Sequence, residues 1–374
     1  MASIFAGEAR RPDGRMPSGR TLIHFRDPNV TEKYARSVMR AALQRHPSFM
    51  RFGETLPEVR LQYIDGMRIG ALSLPPALVS SALRDENVLV APERVLHAAL
   101  VMPGSDDDVK DTYSIFGQIG LNATGTKSSG QNVTVALLDS GTPTHSDLHP
   151  RTTAEANFTF RESTPDNYGH ATHCAGIISG PRTANGRNGY GIAPQVNMIY
   201  GRVLDRNGDG LDMNVIEGIN WAIRQKADII VLCFSSPVSL NATPDIYYEV
   251  AAEVARSQNI LIVGAAGNKT AGSAEPVHHP ANCPRVPAVG AIDRKGTPAP
   301  FSCTPVTGGD NVDLLAPGEL VPSAWLDNKY RRVSGTSMAC AAAAGVAALW
   351  AEGKPGDLFK ALSSSLRGGV VQAP

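Results

Sequence analysis

The sequence predicts an α/β protein, a doubly wound and mainly parallel sheet preceded by a small α+β domain. Two observations carry the sheet. Residues 133–138, 197–203, 229–234 and 260–263 are continuous apolar runs, of the kind that is covered on both faces in a parallel sheet. Segments of helical spacing lie between them, so strands and helices alternate from about residue 110 to the end. A third observation carries the small domain. Residues 21–98 read in a different order, β-α-β-β-α-β, which is a split βαβ or ferredoxin-like arrangement.

The elements follow in chain order. Residues 21–25 read as a strand. Residues 30–44 have helical spacing, with Tyr34, Val38, Met39 and Leu43 on one face and Asp27 or Thr31 near the start. Residues 61–74 alternate like a strand pair or one long bent strand. Residues 76–83 form a short helix with Pro76 in its first turn, and 88–91 is a closing strand. Residues 103–108 (Pro-Gly-Ser-Asp-Asp-Asp) are turn-rich and read as a linker open to cutting. Further on, 212–225 is a helix with Asp212 as N-cap and Val215, Ile216, Ile219 and Ile223 inward, and 247–256 is another. The expected division is a disordered tail over 1–20, a first domain over 21–100, a linker over 101–109 and a second domain over 110–374.

Bulk properties exclude several functions. The 374 residues suffice for two domains. Thirty-five basic residues balance thirty-five acidic ones, so nothing recruits nucleic acid or an anionic membrane. No apolar run is long enough to span a bilayer. The first twenty residues hold four arginines, among them Arg10, Arg11 and Arg15, and no apolar segment, so they do not read as a signal peptide. The chain is expected inside the cell, or outside it if a leader has been removed. Asn-x-Ser/Thr matches at Asn29, Asn122, Asn132, Asn157, Asn241 and Asn268 hint weakly at secretion. Five cysteines, Cys174, Cys233, Cys283, Cys303 and Cys340, are too scattered for a disulfide framework. The first two and the last lie in apolar runs and read as buried thiols. Cys283 and Cys303 lie in loop-like sequence and are expected not to pair.

Four segments converge on one edge of the predicted sheet. Asp139 ends the strand at 133–138. Asn268 follows the strand at 260–263 in a Gly-rich turn. His170 opens an apolar helix that stops at Gly180-Pro181. Ser337 opens a second helix, so rich in alanine that it should be central and buried. Carboxyl ends of parallel strands and the starts of the following helices share the side where ligands bind. The chemistry then assigns roles. A serine hydroxyl needs a base, and the imidazole of His170 titrates in the right range. Asp139 would orient that imidazole. The amide of Asn268 and the free N–H of Ser337 would face a developing oxyanion. Taken singly, Asp-Ser-Gly is a turn, His170 with His173 is a zinc pair lacking further ligands, Asn268 is a loop residue and Ser337 is an N-cap. The order Asp, His, Asn, Ser, each in its expected local structure, outweighs the separate readings. No metal ligand set and no cofactor are assigned.

These residues resemble the subtilisin-like serine peptidases. Asp139-Ser140-Gly141 with His145-Ser146-Asp147-Leu148 is similar to the family's acid motif. Gly169-His170-Ala171-Thr172-His173-Cys174-Ala175-Gly176 is similar to its histidine motif, with the Cys of the proteinase K branch. Gly335-Thr336-Ser337-Met338-Ala339 is similar to its serine motif. Stretches at 203–222 and 312–318 are also similar, so the resemblance covers roughly residues 110–352. The first domain resembles the family's inhibitory propeptide, most clearly over 87–93. The resemblance implies a self-processing zymogen, cut between about His97 and Ser105, with Cys233, Phe234, Ser235, Gly208, Gly210 and Gly267 at the substrate. It also implies a peptide or protein substrate, the propeptide as intramolecular inhibitor, and a monomer. The family often carries a structural calcium ion, for which Asp147, Asn185 and Asn188 would be the candidates.

Three departures stand out. Cys340-Ala341-Ala342 replaces the family's Thr-Pro-His after the serine, which could shift the start of the helix. Ala171 replaces a Gly. Phe234-Ser235 adds bulk where the family's substrate strand has Leu-Gly. The alternatives to a general endopeptidase are a peptide-maturing or macrocyclising enzyme of restricted specificity, and a catalytically silent binding protein.

Overall fold

The structure is a computed structural model. It describes residues 20–44, 61–74, 76–84, 86–100, 102–103, 115–122, 126–148, 152–159, 163–184, 187–240, 242–303, 312–353 and 356–374. The expected tail at 1–19, most of the linker, Asn185 and Asn241 lie outside these. Two compact units are distinguished: residues 1–95 with 211–213, and residues 96–210 with 214–374.

The first unit contains β1 (Thr21–Phe25), α1 (Glu32–Gln44), β2 (Gln62–Ile64), β3 (Ile69–Leu72), α2 (Pro76–Ala82) and β4 (Val88–Pro92). The four strands form one antiparallel sheet in the order β2-β3-β1-β4, as the βαββαβ pattern requires. Helix α1 starts where expected, with Thr31 Oγ1 accepting the N–H of Tyr34 at 3.3 Å. Its inward stripe differs from the expectation. Ala35, Met39, Ala42 and Leu43 are buried, whereas Tyr34 is 46% exposed and its hydroxyl donates to Glu86. The i, i+4, i+7, i+8 stripe therefore begins one residue later, and an aromatic with a polar tip stays at the rim. Asp212 is the first helical residue rather than the N-cap, and its carboxylate accepts the backbone N–H of Arg94 at 2.8 Å.

The second unit is built on a seven-stranded sheet, parallel throughout. Its elements are β5 (Val95–Ala98), β6 (Met102–Pro103), β7 (Thr134–Asp139), β8 (Thr152–Asn157), α3 (His170–Ser179), the ribbon β9 (Thr183–Ala184) and β10 (Arg187–Asn188), β11 (Asn197–Arg202), β12 (Asp209–Leu211), α4 (Asp212–Arg224), β13 (Ile229–Leu232), β14 (Phe234–Ser235), α5 (Ile246–Arg256), β15 (Leu261–Ala265), β16 (Ala288–Ile292), β17 (Leu314–Pro317), β18 (Val321–Ala324), β19 (Tyr330–Ser334), α6 (Thr336–Ala351) and α7 (Leu358–Ser364). The sheet order is β17-β16-β15-β13-β7-β11-β8. The chain runs from β7 outward to β8 and β11, then crosses to β13 and continues the other way. That reversal beside β7 is the topological switch point, where the carboxyl ends of α/β strands open a crevice. Helix α6 packs against α3 and against β13, β15, β16 and β17. Every residue from Thr336 to Leu349 is buried, so the helix is apolar all round because it is surrounded all round. The inward positions of α4 (Val215, Ile216, Ile219 and Ile223) are buried as their spacing predicts. All five cysteines are free and buried. Among the described residues, no helix is long and apolar enough to cross a membrane.

Candidate active site

The carboxyl end of β7 delivers Asp139, and the first turn of α3 delivers His170. His170 Nδ1 lies 2.8 and 2.9 Å from the two carboxylate oxygens of Asp139, and both side chains are buried. Burial disfavours charge on the imidazole, but the Asp139 carboxylate, by charge and hydrogen bond, outweighs it. With smaller help from Tyr168 and Asp166, the His170 pKa is raised above its ordinary 6.5.

A residue that sequence reasoning missed fixes this pair. Asp166 Oδ1 accepts the N–H groups of Tyr168 (3.0 Å) and Gly169 (2.9 Å) and the Ser140 hydroxyl (2.9 Å). Its Oδ2 accepts the N–H (2.9 Å) and hydroxyl (2.6 Å) of Thr172. Ser140 Oγ in turn accepts the N–H of Ala171 at 3.0 Å. A single carboxylate thus caps the free donors of α3, where the preceding Gly169 has no side chain to offer, and ties the helix to the end of β7. The available signal was Asp166 followed three residues later by Gly169-His170.

On the other flank, Thr336 orients Asn268. The Asn268 Oδ1 accepts both the N–H and the hydroxyl of Thr336, each at 3.0 Å. The carbonyl end of the amide is thereby occupied, and the NH2 end is left to point into the cleft. Thr336 Oγ1 also accepts the N–H of Gly267 at 3.1 Å. Ser337, the second residue of α6, is fully buried, and its N–H belongs to the helix's first, unsatisfied turn. With Cys340-Ala341-Ala342 in place, the helix begins at Thr336, one residue before the serine.

The cleft is filled by the chain's own segment at 96–100, which belongs to the second unit. Strand β5 lies between β12 and β14. Against β14 it is antiparallel, Ala98 opposite Phe234 and His97 opposite Ser235. The Ala98 N–H donates to the Gly208 carbonyl at 2.9 Å, and His97 Nδ1 lies 2.6 Å from Asp209 Oδ1. Asn268 Nδ2 donates to the Ala99 carbonyl oxygen at 2.7 Å. Ser337 Oγ lies 3.0 Å from that same oxygen and 2.6 Å from the Cys233 carbonyl oxygen. No hydrogen bond joins Ser337 Oγ to His170 Nε2, whose near neighbour is Cys174 Sγ at 3.9 Å. A Cβ on Gly335 would stand 2.3 Å from the Ala99 oxygen, so only glycine leaves room for that carbonyl. Beyond Leu100 the chain pairs again, with Met102 opposite Ser334 and Pro103 opposite Val333. Both sides of the Ala99–Leu100 bond are therefore held by strands.

The substrate-lining candidates fall into place around this segment. Gly208 contributes a carbonyl, Gly210 lies in β12, Phe234 and Ser235 form β14, and Gly267 adjoins Asn268. Cys233 differs. Its thiol points away from the cleft, donating to the Ser337 carbonyl at 3.3 Å, and its backbone carbonyl faces the hydroxyl of Ser337.

Among the described residues, two side-chain groups have the spacing of metal ligands. Asp139, Cys174 and Cys233 lie mutually within 4.8 Å. Asp139 is committed to His170, and burial pushes the Cys174 thiol up to about 11 and Cys233 well above its ordinary value, so both thiols stay protonated. Glu275, His278 and Cys303 form the second group. His173 is not a zinc partner of His170. Its Nε2–H donates to the Arg331 carbonyl at 3.1 Å, and burial lowers its pKa to about 3. Of the calcium candidates, the side chains of Asn185 and Asn188 lie outside what the structure describes, and Asp147 is engaged within the protein. Asp147 Oδ2 accepts the hydroxyls of Tyr190 (2.6 Å) and Tyr330 (2.9 Å), whereas a calcium ion takes six to eight oxygens. Burial and this bond raise the Tyr190 pKa, which keeps it a donor.

The sequence profile described as Subtilase family matches residues 130–367. The Thermostable alkaline protease of Halalkalibacterium halodurans is 39% identical over 221 residues, covering 59% of this chain and 57% of that protein. The Minor extracellular protease Epr of Bacillus subtilis is 34% identical over 275 residues, 71% of this chain and 40% of that protein. Subtilisin Savinase of Lederbergia lenta is 36% identical over 228 residues, 61% and 79% of the two chains. The chain spans only about half the length of the first two of these relatives.

Proposed function

The chain belongs to the subtilase family, and from that premise we propose that it is a serine endopeptidase made as a self-processing zymogen, which cuts its own Ala99–Leu100 bond. One observation carries the reading. A backbone carbonyl of the chain itself accepts a hydrogen bond from Asn268 while Ser337 Oγ stands 3.0 Å from its oxygen.

Ser337 Oγ attacks the carbonyl carbon of Ala99, and His170 Nε2 takes the hydroxyl proton. For this the hydroxyl rotates away from the Cys233 carbonyl toward the imidazole. Such catalytic bonds often tighten only as the reaction proceeds. Asp139, on Nδ1, holds the tautomer that leaves Nε2 free to accept, and it stabilises the imidazolium. The Asn268 amide and the Ser337 N–H stabilise the oxyanion. His170 returns its proton to the nitrogen of Leu100, the C–N bond breaks, and an ester joins Ala99 to Ser337. Water, deprotonated by the same imidazole, hydrolyses that ester. The imidazolium then returns that proton to Ser337 Oγ as the ester C–O bond breaks, which frees the Ala99 carboxylate and regenerates the serine.

Intact-mass measurement of the purified protein tests this. Wild type yields a fragment ending at Ala99 and one beginning at Leu100, whereas Ser337→Ala stays whole. Equal cutting in both proteins, or none in wild type, refutes the reading. A product in which fragment ends are joined to a new amine would point to ligation.

A further inference from the structure

The segment that fills the cleft also shows what the cleft accepts on the acyl side of the bond. In an antiparallel pair, opposed residues share a face and alternate residues along a strand return to it. Ser235 opposes His97, so Ser235, His97 and Ala99 share one face of the β5–β14 pair. On that face Ser235 Oγ is 3.3 Å from Nδ1 of His278. The opposite wall is the loop that carries Asn268. There Gly267 has a φ of +99°, and a Cβ on it would stand 2.3 Å from the His278 ring. The backbone N–H of His278 donates to the Ala266 carbonyl at 2.8 Å, which anchors the residue to this second wall. The imidazole is thus wedged between Ser235, on the face that Ala99 shares, and the loop whose Asn268 donates to the Ala99 carbonyl, and it is 2% exposed.

The wedge is fastened. His278 Nε2 lies 3.4 Å from Glu275 Oε2, and Ser273 Oγ donates to Glu275 Oε1 at 2.9 Å. A neutral ring that donates from Nε2 and accepts the Ser235 hydroxyl at Nδ1 satisfies both contacts. Burial lowers the His278 pKa, so the ring keeps this neutral form.

We infer that His278, seated between Ser235 and Gly267, closes the space beside the acyl-side residue and restricts cleavage to peptides with alanine, serine or glycine there. The inference rests on the peptidase reading above. It makes His278 a specificity-determining residue that stands apart from the triad, and it accounts for Ala99 as the chain's own acyl-side residue. A leucine, phenylalanine or arginine side chain would have to displace a ring held at both nitrogens. Overpacking of this kind corresponds to roughly a 10- to 100-fold loss in rate.

The test uses self-processed enzyme and peptides that differ only at the acyl-side residue. In wild type, kcat/KM for alanine should exceed that for phenylalanine by about 10- to 100-fold, and His278→Ala should raise the phenylalanine-to-alanine ratio about tenfold or more. The full chain gives a second test that needs no added substrate. Ala99→Phe should slow self-cleavage, and adding His278→Ala to that variant should restore it. Wild type that cleaves after phenylalanine as readily as after alanine overturns the inference and leaves the peptidase reading standing. Wild type that neither processes itself nor cleaves any peptide overturns both.

Discussion

The two flanks of the Ala99 carbonyl are held by different means. On the acid–base flank, each group sits where the backbone puts it: Asp139 at a strand end, His170 in a first helical turn, and Asp166 tying the two through five hydrogen bonds. On the acyl-side flank, Ser235, Gly267 and His278 come from three separate segments and meet by filling space. The first construction positions charge and is intolerant of chemical change. The second positions volume, and a different set of side chains could occupy it without disturbing the proton path. Reaction and selectivity are therefore separable in this molecule.

Substitutions on each flank sharpen that separation. The largest effect is expected from Asp139→Asn, which keeps the shape but favours the wrong imidazole tautomer. Self-cleavage, followed by mass against time, should slow by about 10⁴-fold, with no change in the preferred acyl-side residue. A shifted preference would mean that the flanks are coupled. Asn268→Ala removes one oxyanion donor and should lower kcat by about 10²–10³-fold for every peptide alike. A loss confined to some acyl-side residues would assign Asn268 to selectivity instead.

The smallest effect concerns pH. His170 acts as a base only when neutral, and its pKa is raised, so at a given pH more of it is protonated than in an ordinary histidine. The rate of self-cleavage should therefore rise with pH through a midpoint above 6.5. A midpoint at or below that value would mean that the Asp139 carboxylate does not outweigh burial. Variants of His278 should leave the midpoint where it is, because the groups facing that ring are Ser235, Glu275 and Cys303 rather than Asp139.

The difference between the flanks also explains what could be read in the sequence. Asp139, His170, Asn268 and Ser337 were legible because apolar runs and glycine-marked turns announce strand ends and helix starts. The βαββαβ order of the first unit and the parallel order of the second were legible for the same reason. Asp166 escaped because a cap four residues ahead of a helix whose preceding residue is glycine resembles any loop aspartate. Tyr34 was misplaced because spacing gives the angle of a stripe but not which of two adjacent residues centres it. His278 had no sequence signal, since a ring that closes a space is recognised only once both walls are in place. Ala99 was bracketed between His97 and Ser105 but not identified, because Ala-Ala-Leu-Val carries no chemistry of its own. Ala99 is proposed only because its carbonyl lies against Asn268 and Ser337.

The register of β5 against β14 has a further consequence. Ala98 and Ala99 are equally small, so a wall that admits only small side chains cannot by itself choose between them. Sliding β5 by one residue would bring Ala98 to the serine without any clash beside His278. It would also draw Leu96, which is wholly buried, out of its place and put Val95 there instead. On the proposed reading, the cut would be set as on a ruler with two marks, a small residue at the carbonyl and a leucine three residues before it, and the cleft would read the distance between them as much as either residue.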